Sequence, residues 1–417
     1  MLRPGSRRSW LWAAVPFAVL LLAGCPPGDD GEDGDTTTTA VTDGTTAPPS
    51  TAVNLRREIN TFSATEVDAY RQGVALMQSR QPDDPTSWIY QANMHGFPTS
   101  SSICAVTPGP PQPAWRTCQH GSFFFLAWHR MYLYYMERIL RAAVREAVGH
   151  PNYEFALPYW DYENPANHDL PEPFRNPADN TNPLFVAQRA TNCNDGSECV
   201  SAATADDSDA MSLIPFCSCP GGGSCAGCQP VISSDESFGG QFTAAPVHNG
   251  SGPGELEFQP HGVVHNAVGG GSGWMSFFSC AARDPIFWLH HANIDRLWQV
   301  WLNQEGGRAN PLGSDEWKNQ TFIFFDENKQ SVTMSGCQIL NTISQLDYQY
   351  DGLEVKNVTL CDQPPRVAEP APPPRPAKTL VTGRTARVQL GARRLSVEVA
   401  LPQAANQRIL TLAGPDP

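Results

Sequence analysis

The chain has 417 residues, 41% of them hydrophobic, enough to bury the core of one large domain with an appendage, or of two domains. Its 42 acidic against 28 basic side chains leave a formal charge of −14, which excludes a role on nucleic acid, whose phosphate backbone wants Lys and Arg. Acidity says little more than that the chain is kept soluble.

Residues 1–24 read as a signal peptide: a basic start, "MLRPGSRRSW", then a short apolar run ending in small residues. Leu22-Ala23-Gly24-Cys25 resembles the bacterial lipobox, which implies a lipid on Cys25 and cleavage before it. "SRRSWLW" (6–12) resembles a twin-arginine signal, with an ordinary secretory leader as the alternative. The expected location is therefore the bacterial cell envelope, on the periplasmic or cell-surface face, with the membrane reached only through the lipid anchor. Residues 25–53 are Asp, Thr, Gly and Pro without apolar periodicity, the composition of a disordered linker.

The fold is expected to begin at residue 54. Ser63 with Glu66 is a capping-box pattern and opens a helix over 64–80. Residues 122–148 form the longest helical pattern, free of Gly and Pro. Residues 284–303 form another, with Asp284 as N-cap and Pro285 in the first turn. "HGVVHNA" (261–267), between Pro260 and a glycine run, allows only a short helix. Residues 160–258 are irregular and carry six of the twelve cysteines, closely spaced. Disulfides suit them in an exported protein, with zinc the alternative. Residues 320–362 turn strand-like. The expected class is mainly α, a four-helix-bundle core with a long disulfide-rich insertion and a short β-rich C-terminal part. A Pro-rich linker (364–377) and a partial β segment (378–417) follow; at about forty residues the latter is too short to bury a core of its own.

The histidines group. His261 and His265 are four apart, so on a helix they share a face. His291 stands one turn before Asp295, and His120 and His129 flank the start of the long helix, with His95 upstream. Two sets of three imidazoles suggest two metal ions, and imidazole without thiolate or bridging Glu suits a copper pair better than iron. His150, His168 and His248 match no pattern and read as loop or surface residues.

"HGSFFFLAWHRMYLYYME" (120–137) and "DPIFWLHHANID" (284–295) resemble the two copper signatures of the tyrosinase family, which includes catechol oxidases and haemocyanins. The resemblance spans about residues 54–362 and implies a di-copper catalytic domain over 54–363. It implies copper A on His95, His120 and His129 and copper B on His261, His265 and His291. The implied reaction uses O2 to oxidise o-diphenols to o-quinones, with monophenol hydroxylation in some members. The small partners are then phenols and O2, and a copper-delivery chaperone is a candidate protein partner. A non-catalytic, haemocyanin-like O2-binding protein is the alternative.

The family pattern also implies roles around the metals. Asp295 would accept a ligand imidazole N–H, and Phe287 would pack over copper B. Glu257 would order a water near copper B. Efficient monophenol hydroxylases carry Asn after the first copper-B histidine, where this chain has Gly262; Asn266 follows the second. The departure at Gly262 points to diphenol oxidation. Cys118, two residues before His120, would form a thioether to that imidazole, with a disulfide to Cys104 as the alternative. A lipidated Cys25 leaves eleven cysteines, so one is spare. Tyr348 and Tyr350 resemble the closing tyrosine motif and would anchor Arg56 or Arg57. Adjacent helical residues point about 100° apart, so of His290 and His291 only one reaches a given copper. The spacing to Phe287 and Asp295 selects His291.

Overall fold

The computed structural model describes residues 53–361 apart from 99–102, 106, 108–109, 229–235, 305 and 357. The leader, lipid site, linkers and C-terminal segment read above lie outside these residues. Among those described, no helix is long and apolar enough to cross a membrane.

The structure is mainly helical. β1 (Asn54–Arg56) leads into α1 (Ala64–Ser79), where Ser63 and Glu66 cap each other's backbone as their spacing predicts. α2 (Trp88–His95) follows, and α3 (Phe125–Ala147) runs for 23 residues. α3 ends where Gly149 takes a left-handed backbone (φ 69°), a conformation that costs glycine least. After the insertion, a π-helical turn (Glu257–Gly262) passes into α4 (Val263–Gly269). α5 (Ile286–Asn303) closes the helical part. α1 and α5 both pack on α3, whose apolar side chains are buried along nearly its whole length. β2 (Thr321–Phe325) and β3 (Ser331–Ser335) form an antiparallel hairpin, and β4 (Tyr348–Tyr350) returns parallel to β1.

Pro285 stands at the N-cap of α5, and Asp284, expected there, sits two residues before the first helical residue. Its carboxylate still accepts from the Ile286 N–H (3.1 Å) and is gripped by Arg189 of the insertion at 2.6 and 2.8 Å. The insertion carries three short-range disulfides, Cys193–Cys199, Cys217–Cys228 and Cys219–Cys225, so its cysteines are structural staples rather than zinc ligands. Its final stretch is strapped to the loop before α3. Gly250 N donates to His120 O (2.8 Å), Gly252 N to Gly121 O (3.0 Å) and Phe123 N to Gln241 O (2.9 Å). The approach is so close that a Cβ on Gly121 (φ 64°) would meet Gly250 O at 2.3 Å.

Candidate metal centre

The six histidines converge. His95 ends α2, His129 lies one turn into α3, His261 is on the π-helical turn, His265 on α4 and His291 on α5. His120 stands on the strapped loop. Ring centroids within the first set are 4.9–5.6 Å apart, and within the second 4.7–5.4 Å. His129 and His291 stack between the sets at 4.5 Å. Distances alone do not draw the line between two trios: ring nitrogens of His95 and His129 also gather with His291, and those of His95 and His120 with the Cys118 sulfur.

Four rings are oriented by the backbone. Nδ1 meets a carbonyl at Phe278 for His95 (3.1 Å), Phe125 for His129 (2.8 Å), Glu257 for His261 (2.8 Å) and Met275 for His265 (2.9 Å). A carbonyl only accepts, so each Nδ1 carries the proton and each Nε2 keeps its lone pair. The Nε2 atoms of His95, His129 and His261 are buried without any partner. That of His265 faces Nε2 of His291 at 3.2 Å. Two donors each about 2.0 Å from one ion at a tetrahedral angle lie roughly 3.3 Å apart. Burial first, and for all but His265 neighbouring imidazoles as well, pushes these histidines down the pH scale, His129 to about 3 and His265 to about 4. They are neutral at pH 7, as metal ligands must be. Orphaned imidazole lone pairs without a carboxylate among them fit copper.

Two family descriptions match the chain, "common central domain of tyrosinase" over residues 85–213 and 229–304 and "polyphenol oxidase middle domain" over 312–360. A tyrosinase of Hahella sp. is 37% identical over 299 residues, 67% of this chain and 59% of that protein. The chain belongs to the tyrosinase family. The latent chloroplastic polyphenol oxidase of Prunus armeniaca is 28% identical across 81% of this chain and 56% of its own length. The solved polyphenol oxidase of Grenache (Vitis vinifera) is 27% identical with a TM-score of 0.53, covering 82% of this chain and 95% of that one. The chain thus spans little more than half the length of the curated relatives it matches. As in the rest of the tyrosinase family, the cofactor is a pair of copper ions.

Several expected neighbours stand where their spacing puts them. Phe287 is fully buried, 4.1 Å from the His291 ring and 4.8 Å from His95. Both Glu257 oxygens accept from Gly121 N (2.8 and 3.0 Å), tying the π-helical turn to the His120 loop, and burial pushes this carboxyl up to about 8. Gly262 has room: a Cβ there would meet only Glu257 O, at 3.4 Å. Asn266 is exposed. Among the described residues Cys118 is the one cysteine outside a disulfide; Cys104 pairs with Cys280, which removes the Cys104–Cys118 alternative. The Cys118 sulfur is fully buried, 3.4 Å from His248 Nδ1.

Asp295 corrects the sequence reading. It accepts from Arg130 Nε (2.5 Å), Tyr348 Oη (2.6 Å) and Tyr350 Oη (2.7 Å), with Arg56 Nη1 at 3.4 Å, while His291 Nδ1 has no partner. Two fully buried guanidiniums need a carboxylate more than a neutral imidazole does. Burial pushes the Asp295 carboxyl up the pH scale, but Arg130 and Arg56 outweigh it and hold its pKa below the usual carboxylate value. Arg56 is the arginine the tyrosine motif anchors, 3.5 Å over the Tyr348 ring. Removing the carboxylate in Asp295→Ala is expected to cost about 3–5 kcal/mol in urea unfolding, because charge is left buried without compensation. Copper per chain in the folded fraction should not change; loss of copper B at full stability would restore a ligand-orienting role.

His248 also differs. It lies on a loop, as expected, but half-buried at the site, with Nδ1 3.0 Å from Cys118 O and its ring edge-on to Phe278 at 4.9 Å. Phe278, not singled out by sequence, faces His120 at 4.3 Å and His95 at 4.9 Å. Its place six residues before Asp284 was the available signal.

Proposed function

We propose that this chain is a phenol oxidase that uses O2 to oxidise o-diphenols to o-quinones. The observation that carries the reading is the set of buried imidazoles whose Nδ1 protons are committed to backbone carbonyls, leaving Nε2 lone pairs gathered at one place. His95, His120 and His129 would hold copper A, and His261, His265 and His291 copper B. The metals supply electron transfer between phenol and O2. The protein's share is to fix the imidazoles, exclude water and admit a flat ring. Phe287, fully buried between His95 and His291, keeps water from that side, and half-buried Phe278 is the aromatic surface nearest the copper-A histidines. Glu257 fastens the two ligand loops together and stands as the candidate for ordering a water. Gly262 in place of Asn favours diphenols over monophenols. The spare, buried Cys118 beside His120 supports a thioether. Export and lipidation at Cys25 belong to the same proposal and rest on the sequence.

Copper-loaded protein given catechol is expected to produce quinone absorbance at a rate at least about tenfold above that with tyrosine. A tenfold ratio corresponds to about 1.4 kcal/mol between the two barriers. Equal rates would overturn the diphenol preference. Reversible O2 uptake without quinone from either phenol would replace the oxidase by an oxygen carrier.

A further inference from the structure

Copper B has four imidazoles within reach, not three. A ring nitrogen of His290 lies within 4.8 Å of those of His261, His265 and His291, and its ring stacks on His261 at an interplanar angle of 14°. His290 is wholly buried. Proximity therefore does not explain why one histidine of the adjacent pair would bind metal and the other would not.

The hydrogen bonds behind His290 supply a reason, and they run in one direction. Arg296 can only donate, and its Nη1 reaches Asn293 Oδ1 at 3.3 Å. That fixes which way the amide faces. Asn293 Nδ2 then donates to Glu163, at 3.0 and 3.2 Å. With Asn293 Oδ1 turned to Arg296, the Tyr162 hydroxyl has His290 Nδ1, at 3.0 Å, as the acceptor for its proton. Tyr162, Asn293 and His290 are each 0% exposed, so water cannot take over any of these roles. An imidazole that accepts at Nδ1 carries its single proton on Nε2. The Nε2 of His290 is buried and makes no hydrogen bond. A protonated ring nitrogen has no lone pair for a metal. The polarity is opposite to that of His95, His129, His261 and His265, whose Nδ1 atoms are the donors.

We propose that the Arg296–Asn293–Tyr162 relay locks His290 in the Nε2–H tautomer and so keeps a fourth imidazole out of copper B. Tyr162 is a positioning residue acting through His290, and no change of charge is involved. The inference rests on the reading that His261, His265 and His291 hold copper B.

The test is copper per chain in the full-length protein loaded with copper alone. The parent should hold two and His291→Ala one. Adding Tyr162→Phe to His291→Ala removes the donor and frees His290 to change tautomer; the second copper should return. Adding His290→Gln to that pair should remove it again. A double variant that stays at one copper overturns the lock, as does a His291→Ala single variant that keeps a second copper dependent on His290. A parent that holds fewer than two overturns the copper reading itself, a separate failure. Should the double variant not fold, Tyr162→Phe alone decides. In copper-free protein labelled with 15N-histidine, the His290 Nδ1 resonance should be pyridine-type in the parent and move toward pyrrole-type in the variant. An unmoved resonance overturns the proposal.

Discussion

His291→Ala is expected to hold one copper per chain and to lose diphenol oxidation by roughly three orders of magnitude or more, the scale on which removing an essential catalytic group acts. His291 is the α5 member of the set, 3.2 Å from His265 at Nε2 and stacked on His129 of the other set, so it borders both metals. Among the described residues, the further imidazole gathered with His261 and His265 is His290, and Tyr162 holds it. His290→Gln should keep two coppers and most of the activity. Metal content and initial quinone rate check both variants. If His290→Gln empties copper B and His291→Ala does not, the ligand assignment has been made to the wrong histidine.

What could be read in the sequence was local. The Ser63–Glu66 cap, the helices of α1, α3 and α5 and the pairing of histidines four apart depend on contacts within one or two turns, and each is present. Arg56 under Tyr348 and Tyr350 is a contact over nearly 300 residues, and it was legible only because the closing motif is shared by a family. The errors came from competition at long range. Asp295 has the spacing to serve His291, but Arg130 arrives from α3 and takes it. His248 has no neighbouring motif, and nothing in its own segment says that residues 241–252 fold back over His120. Phe278 is one of 19 phenylalanines, and only the three-dimensional approach of its carbonyl to His95 singles it out.

Copper-free protein is expected to lose stability steeply as the pH falls below 6.5, and the cost follows from the same burial that readies the site for metal. Seven histidines gathered at the site (His95, His120, His129, His261, His265, His290 and His291) are pushed down from 6.5, first by desolvation. The unfolded chain therefore takes up protons that the folded chain refuses, so stability drops as pH falls from 6.5 toward the folded values. Three carboxyls act in the opposite sense. Glu257 is pushed up to about 8 and Glu58 to about 7, and Glu163 well upward, all by burial first, so folding binds their protons below neutrality. At pH 5.5 about six histidine protons on the unfolded chain stand against about three carboxyl protons on the folded one. The histidine protons outnumber the carboxyl protons, so the balance predicts a net loss of stability on acidification through this range. Copper bound to the same lone pairs opposes the protons and should move the transition to lower pH by mass action. Urea unfolding at pH 7.5, 6.5 and 5.5, with and without copper, measures both slopes. A copper-free free energy that is flat or rises on acidification would mean that the imidazoles are already protonated or hydrated in the fold, and so are not a dry, waiting ligand set.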